Sequence, residues 1–159
     1  MKLDIRPVTD DDRNWVASLI RTEWGSEIVV SRGRVHQPST LEGLIAFSAK
    51  SPVGLLTFAV EGGSCEIVTL NALVMGMGVG SALLSALETE LRKRGVSRAW
   101  LVTTNDNLRA VRFYQRHGYR ISAIYPGAVD NARKIKPEIP TKGLYGIEIH
   151  DEIELSKSL

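Results

Sequence analysis

Residues 70–87 read LNALVMGMGVGSALLSAL. An apolar segment runs into three glycines on alternate positions, Gly76, Gly78 and Gly80, then becomes a helix with no acidic residue before Glu88. Helices usually place Asp or Glu in their first turn, where unpaired backbone N–H groups carry a partial positive charge. This turn offers only Val, Gly, Ser, Ala and Leu. Its positive end is left open to an anion, and the glycines let a bulky phosphate approach the backbone. A tight turn that needs small residues for packing accounts for the glycines equally well. The frame is not a P-loop, since GVGSALL has no Lys. It matches a dinucleotide fingerprint imperfectly, because the position three after Gly78 is Ser81.

Working outward, residues 65–104 read as strand, glycine turn, helix and strand, a βαβ crossover whose two strands are expected to be parallel. Val79, Ala82, Leu83, Ala86, Leu87 and Leu91 form the helix's apolar stripe, and Gly95 suits its C-terminal cap. Upstream, 3–8 reads as a strand and 9–24 as a helix, with Thr9 as N-cap and Asp12 at the capping-box position. Residues 25–40 are polar and read as a long loop with little structure; they carry Arg32, Arg34 and His36. Strands at 42–49 and 53–61 form a tight antiparallel pair, and a glycine turn at 62–63 leads into a strand over 64–74. Downstream come a strand (97–104), a helix (105–118), a strand (119–125), a segment with one short helix (126–140) and a closing strand (145–156). The expected fold is one α+β domain over 1–159. Its sheet is mixed and mostly antiparallel, with a central parallel βαβ unit flanked by helices.

Composition sets the class. Of 159 residues, 43% are apolar and 24% charged, which excludes a disordered chain. No run approaches the roughly 18–20 apolar residues of a membrane span, and MKLDIRPVTDDD has no apolar core of a signal peptide. A net charge of +2 is too small to argue for nucleic acid. One cysteine, Cys65, and three histidines exclude a disulfide framework and make no metal centre. A cytoplasmic protein, monomeric or homodimeric, is expected.

In the second helix Asn107, Ala110, Val111 and Tyr114 share one face, while Arg109, Arg112 and Arg116 share another that reads as solvated. Taken together, MGMGVG (75–80) and NLRAVRFYQRHGY (107–119) resemble the GCN5-related N-acetyltransferase (GNAT) family, whose motifs are Q/R-x-x-G-x-G/A and N-x-x-A-x-x-x-Y-x-x-x-G-F. The order of elements also fits the GNAT fold. Two departures stand out. Met75 occupies the Arg/Gln slot, on a link shorter than usual, and Val102 stands where some members carry a glutamate base.

The resemblance implies acetyl-CoA as donor and a primary amine, on a small molecule or a peptide or protein, as acceptor. It implies a pantetheine lying between splayed parallel strands against backbone at Leu73 and Val74, with the thioester oxygen's donor near Leu73. It implies a diphosphate on the N–H groups of Met77, Gly78, Val79, Gly80, Ser81 and Ala82, with Asn107 and Tyr114 lining the cofactor site and Tyr114 as acid to the leaving thiolate. An amine is protonated near neutral pH, so a base is needed. Glu66, a carboxylate in an otherwise apolar strand, is the candidate; a place on a wet face of the sheet explains it as well. Tyr114 also reads as a core tyrosine, and Cys65 as a small strand residue. Arg32 and His36 either recognise an anionic acceptor or are solvated. Two other functions fit parts of the pattern: a non-catalytic acyl-CoA-binding regulatory module, and a dinucleotide-binding protein.

Overall fold

The glycine turn sits where the expected crossover places it. Strand β6 (Ser64–Ala72) leads through it into helix α2 (Val79–Lys93), which returns to strand β7 (Arg98–Thr104), parallel to β6. The computed structural model describes residues 2–159. The parallel pairing is brief. It holds Ser64 to Arg98, Cys65 to Ala99 and Glu66 to Trp100, and then stops. Beyond that point β6 keeps its antiparallel partner β5 (Ser51–Glu61) as far as Ala72, and β7 keeps β9 (Glu152–Ser158) as far as Thr104. The two strands therefore splay into a V whose crotch is Glu66 and Trp100. A bulge helps to bend β6 away: Thr69 pairs with Thr57 and Ile67 with Phe58, leaving Val68 as the extra residue.

The remaining elements are β1 (Asp4–Pro7), α1 (Arg13–Trp24), β2 (Val29–Ser31), β3 (Arg34–His36), β4 (Glu42–Ser48), α3 (Leu108–Arg116), β8 (Arg120–Tyr125) and α4 (Ala128–Ala132). The large sheet runs β1-β4-β5-β6-β7-β9-β8, antiparallel except at the V. One face packs on α2 and on the aromatic residues of α3, through Cys65, Ile67, Leu83, Leu87, Ala99 and Tyr114. The other packs on α1, through Val16, Ile20, Ile45, Leu55 and Val68. Gly54 admits α2 to the first face, because a Cβ there would collide with the Val79 side chain.

Three segments differ from the sequence expectation. Residues 10–12 form a 3-10 turn before α1; the Thr9–Asp12 contacts are present, with Thr9 N–H donating to Asp12 Oδ2 at 2.8 Å, but α1 starts at Arg13. Residues 25–40 are not an unstructured loop. They fold into the β2–β3 hairpin and a 3-10 turn at Pro38–Thr40. The expected closing strand is regular only from Glu152, because Leu144–Gly146 form a 3-10 turn in which Tyr145 adopts φ +60°. The two strand differences share a cause. Pairing with a distant partner, not local propensity, decides whether a polar segment becomes a strand.

Candidate functional site

The start of α2 is bare of side-chain capping. Gly78 is its N-cap at φ +69°, a left-handed conformation that favours glycine, and a Cβ there would meet nothing within 4 Å. Ala82 N–H is the first to bond inside the helix, to Gly78 O at 3.0 Å. The N–H groups of Gly78, Val79, Gly80 and Ser81 thus lack intrahelical partners, and no acidic residue stands in the turn. Ala82, expected among the phosphate donors, drops out because its N–H is spent in the helix. Gly80 has a packing reason of its own, since a Cβ would lie 3.3 Å from the Phe113 ring. Met77 packs against the core and Val79 is buried in it, whereas Met75 is 91% exposed.

Leu73 requires a correction. Its N–H donates to Val53 O at 2.8 Å and so faces β5, not the V. Backbone groups alternate along a strand, which turns the N–H groups of Leu70 and Ala72 toward the opening. Val74 lies past the end of β6. Asn107 caps α3, its side-chain oxygen accepting from Ala110 N–H at 3.2 Å. Tyr114 is buried between Phe113 and Tyr119 in edge-to-face contacts, and burial pushes its hydroxyl above the usual tyrosine range. Ser81 Oγ meets His117 Nε2 at 2.9 Å. Arg109, Arg112 and Arg116 join those two residues around a surface groove beside the α2 start, so the arginine face read as solvated borders this end of the site.

On the opposite face of the sheet Glu66 is 4% exposed, neither wet nor alone. The β2–β3 hairpin covers it: Ser31 Oγ donates to its Oε2 at 2.7 Å. His36 Nε2, on a residue 7% exposed, lies 3.1 Å from Oε1 but out of hydrogen-bond alignment, and has no hydrogen-bond partner among the described residues. His36 thus faces Glu66, not an open acceptor surface. Arg32 forms the tip of the hairpin with Gly33, both at positive φ (51° and 74°). Its guanidinium reaches Glu154 Oε1 at 3.2 Å and lies 4.6 Å from the Tyr125 ring centre. Its backbone N–H donates to Glu152 Oε1 at 3.1 Å.

Glu152 and Glu154 are functional candidates that the sequence reading missed. In β9 they alternate with Ile153 and Leu155, which face the α2 side, so both carboxylates share the face of Glu66. Glu154 pairs with Val102, the position that lacks the glutamate of some relatives. The available signal was the alternation in DEIEL, residues 151–155. Cys65 is buried, and burial pushes its thiol up to about 12, which removes it as a nucleophile at neutral pH. Among the described residues no group of three or more His, Cys, Asp or Glu side chains is placed to hold a metal ion, and no helix is long and apolar enough to cross a membrane.

The chain's sequence and its fold are both matched in known proteins. The chain is 36% identical over 155 residues to the uncharacterized protein YdhI of Bacillus subtilis (strain 168), covering 96% of each. Its fold superposes with TM-score 0.79 on an IAA acetyltransferase from Bacillus cereus ATCC 14579, at 20% identity over 99% of this chain and 100% of that one. It superposes with TM-score 0.69 on a GNAT family acetyltransferase from Elizabethkingia anophelis with acetyl-CoA bound, at 19% identity over 99% and 98%. A family model described as Acetyltransferase (GNAT) family matches residues 16–119, which hold both the glycine turn and the Asn107–Tyr119 segment, and the chain belongs to that family.

Proposed function

We propose that this protein is an acetyl-CoA-dependent N-acetyltransferase that moves the acetyl group to a primary amine by direct attack in a ternary complex. One observation carries the reading: the V between β6 and β7 opens at a buried carboxylate, Glu66, and ends at the acid-free start of α2. Acetyl-CoA supplies an activated thioester when bound. The chain's own groups suit the rest. Backbone N–H groups of Gly78 to Ser81 hold the diphosphate, and Arg109, Arg112 and Arg116 lie within the same groove system for the cofactor's further phosphate. Leu70 and Ala72 N–H groups face the V and are placed for the pantetheine amides and the thioester oxygen. Glu66 takes the proton that the ammonium must lose before it can attack. Tyr114, kept protonated by burial, gives a proton to the departing thiolate.

The test is calorimetric titration with CoA, followed by thiol-release assays with small amines and N-terminal peptides. Binding at micromolar affinity and turnover of an amine are expected. Glu66→Gln should lower kcat/KM most near neutral pH and recover partly at high pH, where more amine is already neutral. CoA binding without acetyl transfer to any amine would instead make the protein a regulatory acyl-CoA-binding module. NAD binding without CoA binding would overturn the reading.

A further inference from the structure

Glu152 and Glu154 lie two residues apart on the same face of β9, yet their surroundings are unequal. Glu154 accepts from Arg32 Nη1, Arg98 Nη2, Ser122 Oγ and Tyr125 OH at 2.7–3.3 Å, so its charge is fully answered. Glu152 is 4% exposed, and among the described residues its carboxylate has one hydrogen-bond donor, the Arg32 backbone N–H. The Arg32 guanidinium makes its hydrogen bond to Glu154, and its charge reaches Glu152 only at longer range. A buried carboxylate with lone pairs to spare calls for a cation. Glu152 also lines a cavity of about 360 Å³ together with Arg32, Tyr125, Ala128, Asn131, Ala132 and Ile135. That is the size and polarity of a small-molecule site.

The hairpin ties this cavity to the V. Ser31 bonds Glu66 and the next residue bonds Glu152, so one turn of chain bridges the two carboxylates across β7. The Glu66 charge lies close enough to disfavour ionisation of Glu152. On the same hairpin His36 Nε2, buried and without a hydrogen bond among the described residues, faces Glu66. The hairpin tip itself is costly. A non-glycine residue in the left-handed region is disfavoured, and Asn is the usual occupant of that turn position. An Arg held there has a reason outside the turn.

We propose that the acceptor seats in this cavity with its ammonium against Glu152, and that its class is a compact primary amine with an apolar body. The inference rests on the N-acetyltransferase reading and adds the acceptor's place and chemistry. Glu152 binds the ammonium, the walls take the body, and Glu66 across the hairpin bridge receives the proton. Arg32 lines the cavity and sets the depth at which the body stops.

The experiment uses the full chain with acetyl-CoA and, as probes, 2-phenylethylamine, isopentylamine, spermidine and an alanine-terminated peptide. The two apolar amines should be the best acceptors. Glu152→Gln keeps an oxygen for the Arg32 N–H and loses the charge; KM for 2-phenylethylamine should rise on the order of 10- to 100-fold, the worth of a hydrogen bond to a charged group, with affinity for acetyl-CoA unchanged. Ala128→Leu should fill the wall and penalise 2-phenylethylamine more than isopentylamine. Arg32→Asn suits the turn but takes the guanidinium away from the cavity and Glu154, so it should change the ranking of the probes. Unchanged KM in Glu152→Gln, or turnover confined to spermidine or the peptide, overturns the proposal and leaves acetyl transfer standing. Failure of the parent to bind acetyl-CoA brings down the N-acetyltransferase reading itself.

Discussion

The two faces of the V are built from different materials. On the α2 side the surface is backbone: a left-handed glycine, four unpaired N–H groups and no side chain in the way. On the hairpin side it is side chains, with Glu66 from β6, Ser31, Arg32 and His36 from the hairpin, and Glu152 and Glu154 from β9. Backbone recognition suits a diphosphate, which presents the same oxygens to every enzyme that uses it, and it tolerates side-chain change. Side-chain recognition suits an acceptor that differs from one protein to the next. The difference teaches where substitutions should matter: charge and shape in the glycine turn govern donor affinity, while single polar atoms on the hairpin face govern acceptor use.

The largest expected effect breaks the backbone face. Gly80→Asp adds a carboxylate where the diphosphate is expected, and CoA affinity measured by calorimetry should fall at least on the order of 100-fold. Gly80→Ala meets the same Phe113 ring without the charge, so the gap between the two variants isolates electrostatics from packing. Equal losses in both would mean that the turn is small for packing alone.

Next comes a side chain buried in the core on the α2 side. Tyr114→Phe keeps the ring packed on Phe113 and Tyr119 and removes one hydroxyl. Folding and CoA affinity should survive while kcat falls by roughly 10- to 1000-fold, around the range for acid–base catalysis. Parental kcat under chemistry-limited conditions would reduce Tyr114 to a core residue.

Met75→Arg sharpens the comparison by adding a side chain to the backbone face. Met75 is 91% exposed beside the glycines, so a cation there gains at most about 1 kcal/mol. CoA should bind several-fold tighter at low salt, with the gain fading as salt is added. No gain at any ionic strength would place position 75 away from the diphosphate.

The smallest effect concerns the hairpin face and needs no substrate. Burial raises the Glu152 carboxyl above its ordinary value, partly offset by the Arg32 N–H. Between the unfolded and the raised folded value the native state holds the extra proton, so stability falls as pH rises through that window. Glu152→Gln has no such proton to lose. Its Tm relative to the parent should therefore climb from acid to neutral pH. A flat difference would show that the carboxylate is already compensated.

How far each face was legible follows from its construction. The glycine turn, the acid-free helix start and the Asn107–Tyr114 spacing are local features, since a helix repeats every few residues and brings its partners together without help from the rest of the chain. They were enough for the crossover and the α+β class, and the proposed donor face rests on them. Glu66 was legible as an anomaly, a charge in an apolar strand, although not its cover. Ala82 and Leu73 were misplaced as donors because which N–H is already spent depends on helix start and strand register, set by Gly78 and Val53.

The amino-acid sequence by itself determined the fold class, the crossover and the family and pointed to the backbone half of the site, because those are carried by near neighbours. Only the tertiary structure decided the other half. The Arg32–Glu152 bond joins residues 120 positions apart, and residues 29–36 become a hairpin because a sheet face and α4 are there to receive them. A carboxylate's meaning depends on what faces it, and at Glu66, Glu152 and Glu154 that is settled by long-range packing.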